Sequence, residues 1–219
     1  MSEQKNQVDN IISRLKDNRI IAVIIVFGIT IIAISSFTDA SHKIIKQIQG
    51  FISERPAVVN LRYKPEILSS DAVKVLLAKH GFYEKNWNPG GKGIAHRYEP
   101  QIKDNVIVLL DAATGLMWQK GGSSSEMTFE NTEQYINRIN TEKFAGFNDW
   151  RLPTVEEAMS LMEPQANDHF YINPEFEPGI SFIWTSDRAT DGRIWMLYFY
   201  YGEIGLESDS FNAWVRLVR

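Results

Sequence analysis

From Ile20 to Thr38 the chain carries no charged side chain, and the run IIAVIIVFGITIIAISSF is almost wholly Ile, Val, Ala and Phe. At a helical rise of about 1.5 Å per residue, such a run spans most of a hydrocarbon core about 30 Å thick. A buried strand would be shorter and bounded by turn residues, and a cleaved signal peptide would have a shorter apolar run and a small-x-small cleavage site. Ser35, Ser36 and Ala40 form a poor site of that kind. The pattern predicts a single transmembrane helix over residues 20–38. Lys5, Arg14, Lys16 and Arg19 precede it, whereas only Lys43 and Lys46 follow closely. The positive-inside bias then puts the N-terminus in the cytoplasm, leaving the C-terminal domain outside a cytoplasmic (inner) membrane.

Both flanks have helical spacing. Val8, Ile11, Ile12 and Leu15 form an apolar stripe within residues 1–19, an amphipathic N-terminal helix. Ile44, Ile45, Ile48, Phe51 and Ile52 repeat the pattern within residues 39–56, a juxtamembrane helix and linker. Such stripes can lie on membrane lipid headgroups, or can associate and make a homo-oligomer through residues 8–52. Gly28 has no second small residue four positions away, so the span itself carries no close-packing motif.

Pro56 ends the helical pattern, and residues 57–219 are expected to fold as one α+β domain. The chain has no cysteine, which excludes disulfides, thiolate metal sites and cysteine nucleophiles. Its formal charge of -4 is concentrated downstream of the membrane segment, so no nucleic-acid partner is expected. Ser69, Ser70 and Asp71 ahead of Val73, Leu76 and Leu77, with Gly81 as a stop, predict a helix over Asp71 to His80. Glu84 to Gly93 is a loop by its Asn, Pro and Gly content; it lacks the spacing of a phosphate-binding loop. Val106 to Leu110 and Leu116 to Trp118 flank a turn at AATG and predict a hairpin. Thr128 is placed to cap a helix with Phe129, Ile136 and Ile139 on one face and Tyr135 beside them. Thr154 and Glu157 have capping-box spacing ahead of a third helix that buries Val155, Ala158, Met159 and Met162. Ile183 to Thr185, Ile194 to Tyr201 and Trp214 to Val218 read as antiparallel strands, giving helices first and sheet last.

The blocks DAATGLMWQK (111–120), FAGFNDWRLPTVEEAMSLM (144–162), WTS (184–186) and VRLVR (215–219) occur in this order. Together they resemble the Lcl C-terminal domain family, a domain of unknown function named after a collagen-like adhesin, over roughly residues 60–219. The resemblance implies a variant of the C-type-lectin-like fold, with short helices and an irregular antiparallel sheet. It associates the domain with adhesion and ligand display. Relatives of that fold that generate formylglycine depend on cysteines, so their activity does not carry over.

Asp149, Trp150 and Arg151 are expected to lock a loop through a bidentate Arg–carboxylate pair with the indole in the core. Asp111 is a turn-maker. His42, His80, His96 and His169 lack the spacings of a metal site. Asn148-Asp149 and Asp187 to Asp191 offer calcium-type oxygens only by analogy with lectins, so no metal and no cofactor is expected. Glu156 and Glu157 read as cap and solvent residues, and no serine lies in a nucleophile elbow; no catalytic residue is expected.

The segment 194–214, IWMLYFYYGEIGLESDSFNAW, is the most informative for binding. Strand alternation puts Trp195, Leu197, Phe199 and Tyr201 on one face and Met196, Tyr198 and Tyr200 on the other. The expected ligand-binding residues are Trp195, Tyr198, Tyr200, Glu203, Asp209, Asn212 and Trp214, a mixture of aromatic and polar groups suited to a glycan, peptide or protein ligand. The leading expectation is a membrane-anchored, non-catalytic recognition module. The alternative is a membrane sensor or effector, of a stress or phage-defence type, whose cytoplasmic domain acts through oligomerised transmembrane helices.

Overall fold

Two three-stranded antiparallel sheets organise residues 58–219, the part of the chain described by the computed structural model. The expected helices and linker over 1–19, 20–38 and 39–56 lie outside the described residues. Among the described residues no helix is long and apolar enough to cross a membrane.

The first helix, α1 (Ser70–His80), begins where the Ser69 side chain accepts a hydrogen bond from the Ala72 N–H. It stops at Gly81, which adopts the left-handed conformation (φ 66°) that a helix C-terminus often requires. Val73 and Leu77 are its buried residues. The first sheet follows: β1 (Tyr98–Lys103), β2 (Val106–Asp111) and β3 (Met117–Gln119) pair in that order. Strand β1 escapes a sequence reading because Pro100 interrupts it, yet proline is compatible with an edge strand, where one row of N–H groups has no partner. Asp104 and Asn105, both at positive φ, close the β1–β2 turn.

Helix α2 (Phe129–Thr141) buries Thr132, Tyr135 and Ile139. Thr128 occupies its cap position, but its side chain makes no capping hydrogen bond. Helix α3 (Val155–Ser160) has the full capping box expected of Thr154 and Glu157. The second sheet is β4 (Phe182–Arg188), β5 (Ile194–Tyr198) and β6 (Glu203–Glu207). The fold is α+β as expected, but the first sheet stands between α1 and α2 in sequence, so the order is not helices first and sheet last.

The sheets separate two apolar clusters. Leu109, Trp118, Ile183, Trp195 and Leu197 belong to one, whereas Val108, Met117, Trp184, Ile194 and Met196 belong to the other. Strand β5 is therefore buried on both faces along Ile194 to Leu197, which accounts for its apolar run without solvent alternation. The C-terminal residues complete both sheets. Met117 and Arg219 exchange backbone hydrogen bonds at 3.0 and 2.9 Å, Arg151 and Val218 at 3.0 and 2.9 Å, and the Trp184 N–H reaches the Trp214 carbonyl at 3.1 Å.

Candidate functional site

Strand β5 ends at Tyr198, three residues before the end of the aromatic run. The Tyr201 and Gly202 N–H groups both bond the Tyr198 carbonyl, at 3.2 and 2.9 Å, and turn the chain into β6. Gly202 sits at φ 70°, and a Cβ there would stand 3.1 Å from the Tyr171 ring, so any other residue at this turn would be strained. The turn breaks the alternation. Phe199 points into the core, while Tyr200 and Tyr201 are both exposed, at 50% and 53%. Sequence alternation puts these two tyrosines on opposite faces; the signal for their joint exposure is the glycine that follows them.

Their rings meet edge to face with centroids 5.2 Å apart. Phe170 lies 6.0 Å from Tyr200, and Tyr198 lies 6.3 Å from Tyr201. Phe182 continues the strip from Tyr198, at 5.9 Å, to Phe211, at 5.8 Å. The Tyr198 hydroxyl donates to Glu207 Oε1 at 2.6 Å; burial, and then this carboxylate, raise its pKa. Beneath the turn, the buried Arg216 guanidinium lies 5.9 Å from the Phe199 ring and 4.8 Å from Phe176. Burial lowers its pKa to about 10, so it remains a cation at neutral pH.

A polar cleft of about 330 Å³ is lined by Glu163, Gln165, Asn167 and Asn173 around Ile172 and Pro174. Asn167 and Phe170 bond each other's backbones at 2.8 and 3.0 Å across a tight turn. Its central residues, Asp168 and His169, both have positive φ. The same turn thus delivers Asn167 to the cleft and Phe170 to the aromatic strip. Tyr171 N–H to the Phe199 carbonyl, 2.8 Å, joins the hairpin to the end of β5.

The residues expected to bind ligand divide. Tyr200 stands at this tip, with the half-buried Tyr198 and with Glu203, whose Oε1 lies 3.8 Å from Lys85 Nζ. Asp209 and Asn212 are exposed on the loop that carries Phe211, and Trp214 is half-buried. Trp195 is a core residue instead, 1% exposed, with its indole N–H donating to the Leu68 carbonyl at 3.1 Å. An interior strand leaves no solvent face for it.

The candidate acids, buried or exposed, have structural partners. Asp187 accepts from Arg62 Nη1 and Nη2 at 2.9 and 2.6 Å, from the Glu66 N–H at 2.6 Å and from the Val155 N–H at 2.7 Å. Asp191 bonds Arg193, and Asp149 bonds Arg219 at 2.7 Å, which holds its carboxyl below the usual range. The Asp149–Arg151 lock is therefore replaced: Arg151 forks onto Glu157 at 2.7 and 2.6 Å, and Trp150 is buried as expected. Glu156 is buried rather than solvent-facing, 2.9 Å from His80 Nε2 and 3.8 Å from Arg62 Nε. Among the described residues no group of three or more His, Cys, Asp or Glu is arranged to hold a metal ion.

Asp111 makes its turn as expected, accepting from the Ala113 N–H at 3.0 Å and from the Thr114 hydroxyl. It also engages His96 Nδ1 at 2.7 Å, while His96 Nε2 reaches the Ser160 carbonyl at 2.6 Å. Burial raises the carboxyl's pKa, but the bonds from His96, Thr114 and Ala113 outweigh it and leave the pKa lowered. A carboxyl depressed in the folded state contributes stability above its unfolded value, about 3.9. That contribution is lost as the pH falls through the folded value. Urea midpoints are accordingly expected to fall below pH 4, and to fall less steeply in Asp111→Asn; an unchanged slope would remove Asp111 from the acid response.

The family model described as the Lcl C-terminal domain matches residues 107–219, which include the cleft, the aromatic tip and the C-terminal pairing segment. No curated protein and no solved structure matches the chain significantly.

Proposed function

The chain belongs to the Lcl C-terminal domain family, and from that premise we propose that it is a membrane-anchored, non-catalytic recognition module with a variant C-type-lectin-like fold, which binds a glycan at the β5–β6 tip. The observation that carries this reading is the joint exposure of Tyr200 and Tyr201 beside Phe170. Aromatic faces stack on the C–H faces of sugar rings, and the neighbouring amides and carboxylate of Asn167, Gln165, Asn173 and Glu163 suit hydroxyl groups. A binding role without turnover is supported by the saturation of Asp187 and Glu157 with donors, which leaves neither carboxylate free for acid–base work. The apolar run at 20–38 supports the anchor, and its charged flanks support display of the domain outside the cytoplasmic membrane.

The test is affinity electrophoresis of the full chain in mild detergent, through gels containing β-glucan, xylan or mannan. Retardation by at least one polysaccharide is expected. Tyr200→Ala/Tyr201→Ala should weaken it about tenfold or more, since each stacked ring is worth roughly 1 kcal/mol, with thermal stability unchanged. Equal mobility in every gel, or full retardation of the double variant, would defeat glycan binding at this tip.

A further inference from the structure

Helix α1 buries Val73 and Leu77, so at helical spacing its opposite face is centred on Val75, with Asp71 one turn before and Lys79 one turn after. Val75 is 68% exposed, and Ala72 and Ala78 are exposed beside it. This face borders an open groove of about 470 Å³ whose apolar floor, Leu68, Ala72, Val75 and Leu76, is ringed by charged side chains, Glu66, Asp71 and Lys79 as well as Arg62 and Glu156. The exposed Ile67 adjoins Leu68 in sequence. The apolar strip of Ala72, Val75 and Ala78, set between Asp71 and Lys79, is a docking surface, and its charge pattern specifies the occupant.

We infer that α1 is a self-association face on which α1 of a second copy packs antiparallel, with the two-fold axis passing at Val75. Asp71 and Lys79 are equidistant from Val75 along the helix. Asp71 already pairs with Lys74 of its own helix at 3.3 Å, but that pair is exposed and weak; an antiparallel copy adds Lys79 of one chain to Asp71 of the other, twice, whereas a parallel copy opposes like charges. Ala72 and Ala78 are likewise symmetric about Val75, and two small residues facing each other allow close helix approach. A lipid surface would favour one sign of charge on the face, and this row carries one of each. One helix face buries less than the roughly 800 Å² per partner of a standard interface. Association through it is weak and dynamic.

The chain contains no cysteine, so Val75→Cys introduces a unique thiol on the axis. In the full chain in mild detergent, a brief oxidant treatment is expected to give a disulfide-linked dimer from Val75→Cys. It should give at least tenfold less from Ile102→Cys, an equally exposed apolar site on β1, 75% accessible. In the Val75→Cys background, Asp71→Lys and Lys79→Asp should each cut dimer yield at least fivefold. A mixture of the two single reversals should restore it as a heterodimer, because each chain then carries the charges that complement the other. Circular dichroism of each variant confirms that the helix is retained. Comparable cross-linking at Ile102→Cys, no cross-linking at Val75→Cys, or a mixture no better than the separate reversals would overturn the assignment.

Discussion

Asp187→Ala is expected to lower the unfolding free energy by about 3–5 kcal/mol, the cost of breaking a buried, hydrogen-bonded charge pair from one side. The carboxylate is fully buried and joins three parts of the chain: the segment at Arg62 and Glu66, the N-terminus of α3 at Val155, and β4 itself. Removing it leaves the partly buried Arg62 guanidinium with only its longer carboxylate contacts, to Glu66 and Glu156 at 3.6 and 3.8 Å, and leaves two backbone N–H groups without their acceptor. A domain of this kind has a total stability of only about 5–15 kcal/mol. The variant should therefore unfold at much lower urea. All six tryptophans lie beyond residue 57, so their fluorescence reports this domain. A urea midpoint within error of the wild type would show that Asp187 is not a structural anchor.

Trp195→Ala is expected to cost a similar amount, about 3–5 kcal/mol, through a cavity in the core. The indole is buried in the cluster that also holds Leu77 and Trp118. Its loss also deprives the Leu68 carbonyl of its indole partner and removes an edge contact to Trp87 at 6.3 Å. The consequence for binding differs from that of Tyr200. A Trp195→Ala protein should bind ligand in proportion to its folded fraction, whereas Tyr200→Ala should lose affinity while keeping its full denaturation midpoint. If Trp195→Ala kept its stability and lost affinity, the indole would belong to the binding surface.

Local signals account for the parts of this fold that are legible in the chain. Ser69 with Gly81, and Thr154 with Glu157, mark the ends of α1 and the start of α3 because capping chemistry acts over three or four residues. The strands of the β2–β3 hairpin are likewise marked by their apolar runs. What escapes depends on long-range neighbours. Strand β1 is read over because Pro100 disguises an edge position, and the partner of Arg151 is Glu157 rather than its sequence neighbour Asp149. Glu156 follows the helix's exposed pattern, yet Arg62 and His80 from distant segments cover it.

The candidate site shows the same division. Composition identifies 194–214 as the aromatic region, but alternation assigns its faces as though β5 continued to Tyr201 and had one solvent side. It has neither property: Trp195 and Met196 enter opposite cores, and the strand stops at Tyr198. Phe170 and the polar cleft come from a hairpin that the sequence marks only by its Asn167-Asp168-His169 turn residues.

The most direct test of glycan recognition at the tip is a titration of ring-labelled tyrosine resonances in the full chain with a neutral oligosaccharide drawn from the retarding polysaccharide. Tyr200→Phe and Tyr201→Phe supply the assignments. The Tyr200 and Tyr201 rings are expected to shift together and saturably, while the core-facing Tyr135 stays fixed. Saturable binding that leaves both rings unmoved would contradict the site, and no shift of any ring at saturating sugar would contradict glycan recognition itself.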